Sequence, residues 1–215
     1  ILSGLVGSEM CIRDSPYSDR CEVHDRRDAP RRRAAALSAL LRRASEEPVD
    51  AIWIGRDLGY RGGRRTGLAL TDDVHMSQHA KRWNVDLAPE RPTVGNAVAE
   101  RTAAVIWGML EHIDARIFLW NVFPLHPHES GDPFTNRQHN ARERRAGEEL
   151  LQQLIVLLRP SRIVAIGNDA AAAAHRITDS VPVICVRHPS YGGQTQFQGQ
   201  ISELYGHPMK TGSLF

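Results

Sequence analysis

Short apolar runs alternate with helix-type segments along most of this chain. Four runs have the composition of buried strands, namely 49–54, 116–120, 162–166 and 181–186. Between them lie segments with apolar residues at a helical period, the clearest of which are 97–113 and 141–158. No turn sequence typical of a β-hairpin joins the runs. The alternation predicts an α/β protein, a three-layer α/β/α sandwich with a central four-stranded parallel sheet.

The length and composition indicate one ordinary domain. A chain of 215 residues can bury a substantial core, and we expect a single domain over 16–210 with a short tail, 211–215. Residues 1–15 resemble a translated sequencing adapter rather than a signal peptide, so we expect them to be foreign to the domain. The net charge of +2 is compatible with nucleic acid without requiring it. Three cysteines are too few for a disulfide framework, which favours the cytoplasm.

The most unusual polar segment, 55–73, directly follows the first predicted strand. It combines several glycines with three carboxylates, Asp57, Asp72 and Asp73. A glycine-rich loop at the carboxyl end of a parallel strand is where α/β sheets bind ligands. The loop lacks the Gly-Lys-Ser/Thr ending of a P-loop and the glycine spacing of a dinucleotide fingerprint. By itself it is typical of a tight turn, whereas its carboxylates indicate chemistry on a nucleotide.

Two further predicted strands also end in polar segments. Asn121 follows the second strand, and His188-Pro-Ser190 follows the fourth. Each of these alone is typical of a turn or of a structural histidine. Because the carboxyl ends of parallel strands lie at one edge of a sheet, we expect Asp57, Asn121 and His188 to converge.

These motifs resemble those of the uracil-DNA glycosylase superfamily over residues 17–206. Gly55-Arg-Asp-Leu-Gly-Tyr60 resembles the Gly-Gln-Asp-Pro-Tyr-His motif of its best-known branch, and 62–73 resembles the glycine-rich first motif of the thermophile branch. Leu119-Trp-Asn-Val122 resembles the base-recognition segment, 159–170 a Pro-Lys-x-Ile-Val-x-Leu-Gly-x-x-Ala motif, and His188-Pro-Ser190 the second motif.

The resemblance implies a monofunctional DNA glycosylase, a hydrolase acting on N-glycosyl bonds. Such an enzyme flips a base out of DNA, hydrolyses its N-glycosidic bond and leaves an abasic site. We expect uracil or another deaminated base as the substrate, a role in DNA repair by base excision, and DNA as the partner of a monomer without membrane association. No lysine lies near a motif, so a Schiff-base lyase mechanism is not expected.

The resemblance also implies roles for individual residues. A carboxylate stabilises the oxocarbenium-like sugar and orients a water, and a histidine holds the charge that develops on the base. The implied catalytic residues are Asp57, His188 and Asp73. Asp57 ranks first because it directly follows a strand, and a capping or solvated role for Asp73 stays equally open.

Further residues are implied in binding. The base-binding residues are Asn121, Gly59, Tyr60 and Leu70. The DNA-binding residues are Gly62, Gly63, Arg64, Arg65, Ser190, Tyr191 and Gly192. Among these, Tyr191 is either a wedge that fills the gap of the flipped base or an exposed turn residue.

The chain departs from the family pattern at several positions. Gly59 stands where the uracil-specific branch has a tyrosine that crowds C5 of the base, and Leu70 stands where it has an aromatic stacking residue. A roomier pocket gives an alternative substrate, a bulky modified pyrimidine such as glucosylated hydroxymethylcytosine, in phage defence. Cys21 matches one cluster-binding cysteine of other branches, but Ser18 occupies the partner position. We therefore expect no cluster, no metal and no cofactor.

Other interpretations remain open at this point. The chain can be a non-catalytic DNA-binding module on the same fold, or an unrelated α/β hydrolase of a small nucleotide. The histidines of the long polar loop over 121–139, His126, His128 and His139, are expected to be solvated residues that face DNA.

Overall fold

The computed structural model describes residues 13–87 and 90–206. Within these residues the chain forms six strands and seven helices. In chain order they are β1 (Arg13–Asp14), α1 (Ala29–Ser45), β2 (Ala51–Asp57), α2 (Gly63–Thr66), α3 (Met76–Trp83), α4 (Arg101–Leu110), β3 (Ile117–Phe123), β4 (His126–Pro127), α5 (Ala141–Leu158), β5 (Ile163–Ile166), α6 (Asn168–Ile177), β6 (Val183–Val186) and α7 (Gln194–Tyr205).

The central sheet consists of four parallel strands in the order β3-β2-β5-β6. Ile52 near the start of β2 pairs with Phe118 on one side and with Ile163 on the other. The strands are apolar because helices cover both faces, as expected for a parallel sheet. The predicted α/β fold with a four-stranded parallel sheet is confirmed.

The core has two layers, one on each face of the sheet. Ile52 and Ile54 of β2 pack into one cluster with α1, α3, α5 and α6, whereas Ala51 and Trp53 pack into the other with α4 and α7. This division follows from the alternation of side chains along a strand. The sheet is therefore the middle layer of a three-layer sandwich.

Strands β2 and β3 extend further toward their carboxyl ends than the sequence predicted. β2 continues to Asp57 and β3 to Phe123, and these two residues pair with each other at the ends of the strands. Asn121 pairs with Gly55 inside this extension. Both were expected in loops, because a polar residue or a glycine is unusual in a buried strand. The site residues therefore project from the sheet itself.

Other boundaries also differ from the prediction. α4 covers 101–110 instead of 97–113, and α7 begins at Gln194, well before the predicted start near Ile201. β1 pairs with β4 in a small antiparallel sheet that the sequence did not indicate. Its Arg13 and Asp14 were assigned to the foreign segment 1–15, of which 1–12 lie outside the described residues. The predicted tail 211–215 lies outside them as well.

The described helices include none with the length and apolar character needed to cross a membrane.

Helix α5 lies directly on the extended end of β3. A β-carbon added to Gly147 would lie 2.1 Å from the carbonyl oxygen of Val122. The contact is with backbone, which cannot rotate away as a side chain can. Glycine at this position thus sets the distance between α5 and the sheet.

We expect Gly147→Ala to lower the free energy of unfolding by about 1–3 kcal/mol, because the added methyl group overpacks this contact. The matched control is Gly108→Ala on α4, where an added β-carbon meets no described atom within 4 Å. There we expect a gain of about 0.5–1 kcal/mol from the higher helix propensity of alanine. Urea unfolding of both variants checks the prediction, which is wrong if they shift in the same direction.

Candidate active site

The carboxyl edge of the sheet carries the three residues that were expected to converge. Asp57 ends β2, Asn121 lies on the neighbouring β3, and His188 comes two residues after β6. His188 packs over the end of β5, since a β-carbon on Gly167 would lie 3.4 Å from its Cβ. Arg56 lies among them, bonded to Asp57 and close enough to His188 to lower its pKa.

Asn121 offers a buried amide oxygen at this edge. The residue is 1% exposed, and its Oδ1 finds no hydrogen-bond partner in the described parts of the chain. A β-carbon on Gly55 would lie 2.6 Å from this oxygen and 3.0 Å from Cδ2 of Leu70. Glycine at position 55 thus makes room for the amide. A buried acceptor without a donor costs about 1–3 kcal/mol, so the arrangement suits a ligand that donates a hydrogen bond.

Leu70 adopts a left-handed backbone conformation. Its φ is 53°, in the left-handed region that leucine rarely adopts. The indole nitrogen of Trp107 on α4 donates a hydrogen bond of 3.1 Å to the Leu70 carbonyl oxygen. The side chain of Leu70 thus lies close to Gly55, on the side of β2 to which the Asn121 amide also points.

His188 is arranged as a neutral hydrogen-bond donor. Its Nδ1 accepts the backbone N–H of Ser190 at 3.2 Å and lies 2.7 Å from the Ser190 hydroxyl. An Nδ1 that accepts leaves the ring proton on Nε2. Burial lowers the pKa of His188, and the charges of Arg56 and Arg187 lower it further. At neutral pH the ring therefore presents an uncharged Nε2–H.

Asp57 is the carboxylate that ends β2, next to the strand that carries Asn121. Its side chain is only 8% exposed. Nε–H of Arg56 donates to its Oδ2 at 2.8 Å, and Nδ1 of His139 is hydrogen-bonded to its Oδ1. His139 was expected to be solvated, but its side chain is 7% exposed because the loop before α5 folds back onto the sheet. His126 of the same loop is also fully buried, which corrects that expectation.

Asp73 lies in a different environment. Its carboxylate pairs with Arg65 at 2.7 Å and with Arg91 at 3.3 Å. It also accepts hydrogen bonds from the hydroxyl of Thr93 and the backbone N–H of Val98. The structure thus supports the structural interpretation of Asp73 that was left open, and Asp57 is the carboxylate of the candidate site.

Arg64 and Arg65 do not face solvent. They are 2% and 7% exposed. Arg64 pairs with Asp14 at 3.3 Å and with Asp25 at 3.5 Å, while Arg65 pairs with Asp73. The expectation that these side chains bind DNA phosphates is wrong for the described structure, because a buried charge requires a buried partner and both have one.

The glycines of the loop serve close packing. A β-carbon on Gly62 would lie 2.8 Å from a carboxylate oxygen of Glu100, and one on Gly63 would lie 2.4 Å from Cδ2 of Leu58. Both residues are buried at the start of α2, the single turn that carries the two buried arginines. Their positions give no sign of a phosphate contact.

The space beside Gly59 is lined by another residue. A β-carbon there would lie 3.8 Å from Oδ1 of Asn136, an oxygen that accepts the backbone N–H of Tyr60 at 3.0 Å. The sequence suggested an open space at this position, and the amide of Asn136 limits it. The ring of Tyr60 carries the guanidinium of Arg61 at 5.5 Å from its centroid.

The turn after His188 exposes an aromatic residue. Tyr191 is 96% exposed and has a φ of 51°, and the following Gly192 has a φ of 77°. Two successive left-handed residues make the chain reverse sharply, and Tyr191 lies at the tip. An exposed aromatic in a strained conformation beside a candidate site suggests contact with a partner.

The described residues include no group of three or more histidine, cysteine, aspartate or glutamate side chains placed to hold a metal ion. Sγ of Cys21 lies 3.2 Å from Nδ1 of His24.

Sequence reasoning missed three residues of the site, Arg56, Asn136 and His139. The first neighbours Asp57 in the chain, so its contact was within reach of sequence analysis. The other two come from a polar loop in which nothing in the sequence distinguishes a buried histidine from a solvated one.

The fold and the site define an α/β protein with a carboxylate, an amide and a neutral imidazole at one sheet edge. The model of the uracil DNA glycosylase superfamily matches residues 50–204, which include all three of these residues. The chain belongs to this superfamily, and thus to the DNA glycosylases of base excision and DNA repair.

A solved structure with the same fold is the crystal structure of wild-type SMUG2 from Pedobacter heparinus. The TM-score is 0.55, with 14% sequence identity over 74% of this chain and 76% of that chain. At this identity the likeness concerns the fold alone. Comparison with curated proteins gives no match.

We expect Asp73→Ala to lower the free energy of unfolding by about 3–5 kcal/mol, because it leaves Arg65 and Arg91 facing a buried site without their counter-charge. The matched control is Asp169→Ala, whose carboxylate is 52% exposed in its pair with Arg56. There we expect a change below about 1 kcal/mol. Chemical denaturation measures both, and a fully stable Asp73→Ala that has lost activity would argue for a catalytic role instead.

Proposed function

We propose that this protein is a monofunctional DNA glycosylase that excises a deaminated base, in the first place uracil, and leaves an abasic site. The observation that carries the proposal is the unpartnered Oδ1 of Asn121, buried at the sheet edge that also carries Asp57 and His188. We also propose that it acts on DNA as a monomer, in the cytoplasm.

The amide of Asn121 supports a deaminated base as the substrate. Its oxygen accepts one hydrogen bond, and its nitrogen donates one beside it. Uracil presents an N3–H donor next to the O4 acceptor, which matches this pair. Cytosine presents an unprotonated N3 next to an amino group. With the amide in the same orientation, acceptor would face acceptor and donor would face donor. Hypoxanthine carries an N–H beside a carbonyl as uracil does and belongs to the same class.

His188 fits the role of an electrophile that stabilises the leaving base. Cleavage of the glycosidic bond moves its electron pair onto the base, where negative charge develops on a carbonyl oxygen. The Nε2–H of a neutral imidazole can donate a hydrogen bond to that oxygen and keep its proton. The hydrogen bonds from Ser190 to Nδ1 support this tautomer.

Asp57 fits the role of the carboxylate that faces the sugar. As the bond to the base lengthens, C1′ gains positive charge, which a nearby carboxylate stabilises. A water then adds its oxygen to C1′, and its proton passes to the carboxylate. The products are the free base and an abasic site.

Tyr191 is proposed as a wedge that enters the duplex when the base leaves it, as apolar side chains enter between base steps in DNA-bending proteins. The backbone of Ser190 and Gly192 in the same turn is proposed to approach the phosphates. The alternative substrate is a bulky modified pyrimidine such as glucosylated hydroxymethylcytosine, in phage defence, and it is supported by the absence of a side chain at Gly59.

The test is a panel of single- and double-stranded oligonucleotides that contain uracil, thymine, hypoxanthine, hydroxymethylcytosine or its glucosylated form, followed by heat and alkali to cut abasic sites. We expect cleavage at uracil and none at the glucosylated base. Cleavage at the glucosylated base alone would favour the defence role. No cleavage of any member would refute the glycosylase proposal.

With the best substrate of the panel, Asp57→Asn should lower the excision rate by about 10²–10⁴-fold, because the amide neither stabilises the cation nor accepts the proton. DNA binding should persist, since the change is nearly isosteric. Asp57→Asn with the rate of the wild type would show that another group carries the reaction.

A further inference from the structure

The segment before α5 returns to the end of β2 and contacts the candidate site twice. Asn136 accepts the backbone N–H of Tyr60, and Nδ1 of His139 is hydrogen-bonded to Oδ1 of Asp57. The side chains of His139 and Asp57 are 7% and 8% exposed, so this hydrogen bond is largely shielded from water. Such shielding makes a hydrogen bond to a charged group stronger than it is at the surface.

The start of α5 holds the imidazole in place. Asn140 and Glu143 form a capping box, in which each side chain bonds to the other residue's backbone N–H. Glu143 also pairs with Arg137 at 2.7 Å, so an ion pair joins the residues that flank His139 in the chain. The ring packs against Phe123 of β3, with a centroid distance of 6.1 Å. His139 is therefore fixed relative to the sheet before any ligand binds.

The direction of the hydrogen bond follows from the chemistry of the partners. An ionised carboxylate only accepts, so the proton lies on Nδ1 of His139. The second oxygen of Asp57 accepts from Arg56, whose side chain is 41% exposed and shared with Asp169. Of the two donors that orient the carboxylate, His139 is thus the buried one, and it directly precedes the capping box of α5.

We propose that His139 is a positioning residue, which sets the orientation of the Asp57 carboxylate through its Nδ1–H. This inference rests on the proposed function. It assigns a role to a histidine that lies in a loop, outside all of the motifs named above. The consequence is that the rate of the chemical step depends on His139 while DNA affinity does not.

The experiment measures single-turnover excision with excess protein for the wild type, His139→Leu, His139→Asn and His139→Gln. We expect His139→Leu to react about 100-fold more slowly, because a small misplacement of a reacting group costs that much. The side-chain nitrogen of asparagine reaches the place of Nδ1, so His139→Asn should recover most of the rate. Glutamine places its nitrogen one bond further and should not.

Two further measurements separate positioning from stability. The dissociation constant for DNA should be the same for all four proteins, and the melting temperature of each variant is recorded beside its rate. His175→Leu, which removes an exposed histidine on α6, is the matched control and should keep the rate of the wild type. If His139→Leu does not fold, the comparison of asparagine with glutamine at this position decides.

The outcomes distinguish the two proposals. If the wild-type protein excises no base, both the proposed function and the positioning role are refuted. An active wild type whose rate is unchanged in His139→Leu removes the positioning role alone. Equal losses of rate in His139→Asn and His139→Gln also overturn the positioning role, since they indicate that the imidazole serves the packing of the loop.

Discussion

A buried network of ion pairs holds the glycine-rich segment 62–73 to the rest of the molecule. Arg33 of α1 is fully buried, and its guanidinium pairs with both oxygens of Asp25 while its Nε donates to the carbonyl oxygen of Arg65. Arg64 reaches Asp25 from the loop, and Arg65 reaches Asp73. Buried pairs of this kind contribute less to net stability than to the choice of one geometry, because desolvation offsets much of their attraction.

The carboxylates of the segment 55–73 lie in different surroundings. Asp72 and Asp73 lie in the segment that follows β2, and their oxygens accept backbone N–H groups or pair with arginines in the interior. Asp72, for example, accepts the backbone N–H of Glu100 at 2.6 Å. Asp57 lies at the end of a strand, where the sheet edge leaves it beside Asn121 and Arg56. Three residues of one type thus have different roles because their surroundings differ.

The site is assembled from parts that are distant in the chain. The parallel pairing of β2 with β3 places Gly55 beside Asn121, and the absence of a side chain at Gly55 leaves space for the amide. The loop before α5 then adds His139 against Asp57. Strand pairing therefore determines the positions of the candidate site residues, and the loop before α5 contacts Asp57 from the outside. Gly147 brings α5 onto β3.

The sequence by itself determined the α/β class, the parallel sheet and the position of Asp57, Asn121 and His188 at one sheet edge, because apolar periodicity and the geometry of parallel strands are local or general properties. Only the tertiary structure decided that Arg64 and Arg65 are buried, that Asp73 pairs with arginines and that His139 contacts Asp57. Burial and charge pairing arise from contacts between distant segments, and the same arginine or histidine in a polar stretch is compatible with either environment until those segments meet.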